Sequence, residues 1–183
     1  MLDSIPNQTY TSKPIEPEVN AKANNQKLTL NEEYTLDFSD NINVGRAKVV
    51  AKGLGDFRHL VATAHFEILS KPVSDVVVTS YDIYYHPKGS EPRLSLYIGE
   101  NKLVQGVDYE ILDNGNPIKN VGIYNVTVKG IGNLVGTYNT TYEILQRSIT
   151  VTTIKSGDEL VVTDSGYTLV EGLDYVVEKR VDE

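Results

Sequence analysis

The side chains that could carry chemistry are few in this chain, and their spacing is poor for it. His59, His65 and His86 are the only three histidines. His59 and His65 fall on an expected turn and strand, at a separation that does not bring two imidazoles to one metal ion. All three are therefore read as structural or solvated. No Gly-x-Ser-x-Gly turn lifts a serine out for nucleophilic attack. There is no cysteine, which removes disulfides, thiolate ligands and thiol nucleophiles together. Gly53-Leu-Gly55 and Gly130-Ile-Gly132 resemble phosphate loops only superficially, because that chemistry needs a helix N-terminus behind the glycines and strand signals follow here. Asp37, Asp40 and Asn41 fall in one expected loop. A hard cation wants about six to eight oxygens and no Asp-x-Asp-x-Asp spacing supplies them, so a solvated turn is the preferred reading. No catalytic, cofactor-binding or metal residue is assigned, no cofactor is expected, and the chain is read as not being an enzyme.

Tyrosine is the residue with more to offer. Tyr81, Tyr84 and Tyr85 cluster, and exposed tyrosines stack on sugars or grip protein partners. Strand alternation places Tyr81 and Tyr85 on one face and Tyr84 on the other, so the cluster splits between core and surface. These three are the candidate contacts for a ligand or partner. A second tyrosine pattern recurs as Asp108-Tyr109 and Asp174-Tyr175, with Glu33-Tyr34 as a variant. There the acid is expected to end a turn and the tyrosine to enter the core, its hydroxyl bonded at the edge.

These recurrences belong to an internal repeat. Tyr10-Thr-Ser-Lys13-Pro-Ile-Glu16-Pro17 aligns with Tyr85-His-Pro-Lys88-Gly-Ser-Glu91-Pro92. Leu28 to Tyr34 aligns at the same offset with Leu103-Val-Gln-Gly106-Val-Asp108-Tyr109. Val44-Gly45 through Lys52-Gly53-Leu-Gly55-Asp56 then meets Val121-Gly122 through Lys129-Gly130-Ile-Gly132-Asn133, two residues out of phase. Phe66-Glu67-Ile68-Leu69 and Tyr142-Glu143-Ile144-Leu145 close the two copies. A third copy begins after Arg147, and its Leu169-Val-Glu-Gly172-Leu-Asp174-Tyr175 repeats Leu103 to Tyr109. The expected organisation is repeat one over residues 1–70, repeat two over 71–147 and a partial third repeat over 148–183.

The segments between turn signals are short and rich in β-branched and aromatic residues, as in Val76-Val-Val78-Thr79, Val126-Thr-Val128, Ile149-Thr-Val151, Leu160-Val-Val162 and Tyr175-Val-Val177. Leu94-Ser-Leu96-Tyr-Ile98 and Tyr109-Glu-Ile111 alternate, as expected for one buried and one wet face. No segment keeps a helical apolar period, and Ala21 to Gln26, with its asparagines, reads as a loop. The paired glycines and Asp113-Asn-Gly115-Asn-Pro117 supply turns. An all-β fold of tandem immunoglobulin-like antiparallel β-sandwiches is expected. Each copy is close to the lower size limit for an independent core.

Lys and Arg number 17 against 25 Asp and Glu, a formal charge of −8. That balance disfavours nucleic acid and anionic lipid as partners. No segment has the roughly 18 apolar residues a spanning helix needs, and Met1 to Asn7 has neither the basic nor the apolar region of a signal peptide.

The blocks Tyr-x-x-Lys-x-x-x-Pro, Leu-x-x-Gly-x-Asp-Tyr-x-Ile, Val-Gly-x-Tyr-x-Val-x-Val-x-Gly-x-Gly-Asn-x-x-Gly-Thr and Tyr-Glu-Ile, best kept over residues 85–144, resemble bacterial Ig-like surface repeats. Related modules also decorate the virions of tailed phages. Copy one departs at Asn31, where a glycine is usual, and at Arg58-His59-Leu60, which replaces Val135-Gly136-Thr137. The resemblance implies a structural or binding module with no catalytic residues, located on a virion surface as a capsid decoration, head-fibre or tail-associated protein. The alternative is a fragment of a bacterial cell-surface adhesin or stalk. The expected partner is a capsid or tail subunit or a second copy, with a host-surface glycan or protein as a further candidate. The half-repeat, through Ile149, Val151, Leu160, Val162, Tyr175 and Val177, is the candidate attachment segment, because half a sandwich leaves an apolar face and open strand edges.

Overall fold

The computed structural model describes residues 1–112, 117–148, 160–164 and 166–177. Among these the fold is all-β, with two short 3-10 turns, Gly55–Phe57 and Val73–Asp75, and no α-helix. In copy one the strands are β1 (Gln8–Thr9), β2 (Lys22–Ala23), β3 (Gln26–Lys27), β4 (Tyr34–Ser39), β5 (Gly45–Gly53) and β6 (Val61–Leu69). Copy two adds β7 (Lys71–Pro72), β8 (Val77–Ser80), β9 (Ile83–Tyr84), β10 (Leu94–Ile98), β11 (Asn101–Lys102), β12 (Tyr109–Leu112), β13 (Gly122–Gly130), β14 (Leu134–Val135) and β15 (Thr137–Leu145). The third copy contributes β16 (Thr163–Asp164) and β17 (Tyr167–Thr168).

The sequence repeat is a structural repeat. One four-stranded sheet has the order β1-β6-β5-β4 and the other the order β9-β15-β13-β12. Tyr34 faces Gly53 across β4 and β5, and Tyr109 faces Gly130 across β12 and β13. Both sheets are mixed. Gln8 pairs in parallel with Ile68, and Ile83 pairs in parallel with Ile144. The sheets are not purely antiparallel as expected, because a short early strand, β1 in copy one and β9 in copy two, is added in parallel alongside the last strand of its copy. The sequence gives no warning of it, since Gln8-Thr9 is too short and polar to display a period.

Local chemistry explains the turns. Asn24 and Asn25 join β2 to β3 with φ of 48° and 64°, a pair of positive values that asparagine tolerates and a two-residue hairpin turn needs. Asn31 occupies the left-handed region at φ 67°, where copies two and three have Gly106 and Gly172. The substitution therefore leaves the loop unchanged. Gly130 is required for a different reason. A Cβ there would lie 2.8 Å from the Val135 nitrogen and 2.9 Å from Leu134.

The apolar residues of alternate strand positions form the core. In copy one Ala47, Val49, Phe66 and Ile68 are buried, and in copy two Val126, Val128, Tyr142 and Ile144. Ala21, Leu28, Tyr34 and Ala51 form a second cluster, with Leu2, Ala23, Leu36 and Phe57 packed against it. The Tyr34 hydroxyl donates to the Val19 carbonyl at 2.9 Å. β10 departs from the alternation expected of it, because Leu94, Ser95 and Leu96 are all buried. Leu160–Val162 and Tyr175–Val177 are not strands, although the sequence predicts both. The third copy instead pairs Thr163 with Thr168 and Asp164 with Tyr167.

The chain divides into two compact units. Unit one comprises Met1–Thr79, Leu94–Leu112 and Thr127–Thr140, and unit two comprises Ser80–Arg93, Asp113–Val126 and Thr141–Glu183. Each unit draws on two successive copies, so one copy-to-copy junction lies inside each.

Candidate functional site

A carboxylate loop is built three times. Glu33, Asp108 and Asp174 each accept from the backbone N–H four residues earlier, of Thr29, Val104 and Val170, at 2.7, 2.7 and 2.8 Å. Each loop closes through a second bond to the tyrosine that follows: the N–H groups of Asn31, Gly106 and Gly172 donate to the carbonyls of Tyr34, Tyr109 and Tyr175, all at 2.8 Å. The acid thus ends the turn, as the recurring Asp-Tyr pair suggested. Tyr34 and Tyr109 enter the core at 3% exposure. Burial raises the pKa of Tyr109, and the neighbouring Asp108 and Tyr97 add to the effect.

The same loop has a second contact, made by a tyrosine of the preceding copy. In unit one Tyr10 is buried, and burial foremost raises its pKa, followed by the charge of Asp108. A hydrogen bond with the Asn133 side chain acts the other way. Asn133 is the hub of this junction. Its Oδ1 accepts from the Val44 N–H at 2.8 Å, its Nδ2 donates to Asn43 Oδ1 at 3.0 Å, and its carbonyl accepts from the Lys71 N–H at 3.1 Å. Asn101 Nδ2 donates to Ser12 Oγ at 2.8 Å.

Unit two repeats the arrangement one copy further on. The Tyr85 hydroxyl donates to Asp174 Oδ1 at 2.8 Å. Burial raises the pKa of Tyr85, then the hydrogen bond and charge of Asp174, with Arg147 opposing them. Tyr167 takes the place of Asn101. His86 meets its ring edge-on with centroids 6.0 Å apart, and the Lys88 ammonium lies 5.1 Å from its centroid. Arg147 and Asp164 form an ion pair.

The tyrosine cluster divides, but not as strand alternation has it, because Tyr81 lies between β8 and β9 and is exposed together with Tyr84 rather than grouped with Tyr85. Tyr85 belongs to the junction. Tyr81 and Tyr84 are 44% and 57% exposed, and the Tyr81 N–H donates to the Arg93 carbonyl at 3.1 Å. Tyr84 lines a shallow groove of about 520 Å³ with Val121, Gly122, Glu143 and Gln146. A smaller hollow of about 360 Å³ lies along Asp40–Arg46. Asp37 is not in that loop, as the sequence reading had it. It sits in β4 and pairs with Lys52 at 2.5 Å. Asn41 Nδ2 donates to the Ile15 carbonyl at 3.1 Å. His59 and His65 are exposed. Among the described residues no group of three His, Asp or Glu side chains is placed to hold a metal.

Of the candidate attachment segment, Val162 is 1% exposed, Leu160 36% and Val177 38%, and Tyr175 is half-buried. Ile149, Val151 and the turn residues 113–116 lie outside the described residues. Asn101, Asn133 and Tyr167 were missed by the sequence reading. The signal that finds them is the repeat offset, which carries Asn101 onto Tyr167 and Asn133 onto Asp56. No helix among the described residues is long and apolar enough to cross a membrane. No protein-family model matches this chain, and no curated protein matches it.

Proposed function

We propose that the chain is a non-enzymatic structural and binding protein of tandem Ig-like β-sandwich modules, carried on the virion of a tailed phage as a capsid decoration, head-fibre or tail-associated protein. The observation that supports it most is the junction made twice, Tyr10 with Asp108 and Asn133, and Tyr85 with Asp174. Tyr10 and Tyr85, whose pKa values are both raised, sit where one copy meets the next. A module joined to its neighbour by a repeated contact presents its loops in multiple copies, and weak contacts gain strength by multivalency. The exposed Tyr81 and Tyr84 are the contacts offered to a host-surface glycan or protein. Immunogold labelling tests the reading, with antibodies against the purified chain applied to virions and cells of the source. Label on particles is the expected result. Label on the cell wall would assign the chain to surface adhesins or stalks instead, and label confined to the cytoplasm would overturn both readings.

A further inference from the structure

We propose that the groove beside Tyr84 in copy two binds a cationic amino sugar, with the Tyr84 ring and the Glu143 carboxylate receiving its ammonium group. The inference rests on reading the chain as a binding module, and it names the chemistry of one ligand. The groove, about 520 Å³, is lined by Tyr84, Val121, Gly122, Glu143 and Gln146 over Ile144, which is 1% exposed. That volume falls within the roughly 300–1,000 Å³ of small-ligand sites. Tyr84 is 57% exposed, and among the described residues neither its ring nor its hydroxyl has a partner. Glu143 and Gln146 are exposed too, and their side chains make no hydrogen bond or ion pair among those residues. Glu143 is the one charged side chain among the described residues of the lining, and nearby Arg147 is engaged with Asp164.

Copy one carries the same frame with different side chains. Thr9 pairs with Leu69 as Tyr84 pairs with Leu145, and the repeat sets Glu67, Ser70 and Arg46 in the places of Glu143, Gln146 and Ile123. The glycine is kept. Gly45 and Gly122 hold φ of 135° and 145°, a region that side chains rarely enter, so this wall stays bare. In copy one Glu67 faces Arg46 across β5 and β6. In copy two Ile123, 70% exposed, replaces that cation. The change leaves a carboxylate without a counter-ion beside an open aromatic ring. A tyrosine face attracts a cation within about 6 Å of its centroid. The chain uses that contact internally, with Lys88 Nζ 5.1 Å from the Tyr167 centroid. The formal charge of −8 draws cations at longer range as well. A sugar supplies the rest: its C–H face lies on the ring, and its hydroxyls meet the Gln146 amide, which both donates and accepts. An ammonium on a plain alkyl stem would leave that amide unused.

The test uses the full chain at mildly acidic pH and low ionic strength, where the sugar amines are protonated. The glucosamine tetramer and its fully N-acetylated counterpart serve as matched probes in titration calorimetry. The glucosamine tetramer is expected to bind at least about tenfold more tightly than the acetylated form, and less tightly as salt is raised. Glu143→Gln and Tyr84→Ala should each weaken it about tenfold, while Tyr84→Phe, which keeps the ring, stays within about threefold. Equal affinity for the two tetramers, unchanged binding in Glu143→Gln, or no binding at millimolar probe would overturn the proposal. So would tetralysine bound as tightly as the glucosamine tetramer, since the site would then take any ammonium. Melting curves show whether a variant keeps its fold. If Tyr84→Ala does not, amide chemical shifts of the unaltered chain decide: changes at Tyr84, Gly122 and Glu143 support the site, and changes confined elsewhere refute it. Failure of the sugar to bind leaves the immunogold result, and the reading of the chain as a virion protein, standing.

Discussion

Replacing Tyr85 by phenylalanine removes one hydroxyl and leaves the ring in place. The bond lost is the 2.8 Å contact to Asp174. A partly buried hydrogen bond to a carboxylate is worth about 1–3 kcal/mol, and the hydroxyl itself can be deleted without leaving a hole. Asp174 keeps its other bond, to the Val170 N–H at 2.8 Å, so the loop survives and the loss falls on the junction. At the lower end of that range, about 1–2 kcal/mol, local opening becomes about 5–30 times more populated. Native-state hydrogen exchange reads this directly at the amides of Leu169 and Gly172, which donate to Val162 and Tyr175. A double-mutant cycle with Asp174→Asn separates the junction from the loop, because the loop term cancels. A pH arm adds an independent check. The folded-state pKa of Tyr85 is raised, so its contribution is complete below the ordinary tyrosine value of about 10 and is lost as pH rises through the raised value. Urea stability measured across that window should fall in the wild type by more than in Tyr85→Phe. Unchanged exchange at Leu169 and Gly172, or a cycle with no coupling, would refute the junction as described.

Four further outcomes are expected. Gly132→Val puts a β-branched residue at φ 62°, with its Cβ 3.1 Å from the Val107 carbonyl; thermal melting should register a loss of about 1–3 kcal/mol. Asn31→Ala should cost about 1 kcal/mol at φ 67°, while Asn31→Gly stays within about 0.5 kcal/mol, both by urea titration. Asn133→Asp removes the Nδ2 donor to Asn43 and adds a negative charge to a chain whose formal charge is already −8. A loss of about 1–2 kcal/mol is expected, larger at low ionic strength, and a salt titration of the melting curve checks the electrostatic part. Tyr10 also has a raised pKa from burial and Asp108, so Tyr10→Phe should flatten the alkaline loss of stability in unit one.

Much of the fold could be read from the residues because the signals were local. Paired glycines, Asp-Tyr and the strand-like runs each act within a few positions, and the repeat multiplied them. Asn31 read as a departure from the repeat, yet asparagine and glycine share the left-handed region and the loop is kept. What failed was non-local or set by context. The parallel addition of Gln8-Thr9 to β6 is fixed by a strand some sixty residues away. β10 alternates in sequence yet is buried on both faces, because Ser95 is enclosed as well. Asp37 looked like a loop residue because its neighbours Asp40 and Asn41 are, but Tyr34 and Phe38 carry the strand through it. At the site, Tyr85 was marked for an exposed partner and instead holds a carboxylate of the next copy. Nothing in its own neighbourhood distinguishes those roles, because the acceptor is 89 residues away.

The parallel pairing of an early strand with the last strand of each copy bears on how a copy responds to load. Gln8 and Ile68 are neighbours, with their strands running the same way, and the Tyr10 N–H extends the contact to the Leu69 carbonyl at 2.9 Å. Tension applied through the chain pulls the first strand back toward its start and the last forward toward its end. The two are drawn along each other rather than peeled apart, so their hydrogen bonds are strained together and must rupture nearly at once. The second copy has the same clamp in Ile83 and Ile144, with the Tyr85 N–H on the Leu145 carbonyl at 2.9 Å. Under tension such copies yield in discrete extensions, one clamp at a time, each releasing a fixed length of slack before the next takes the force.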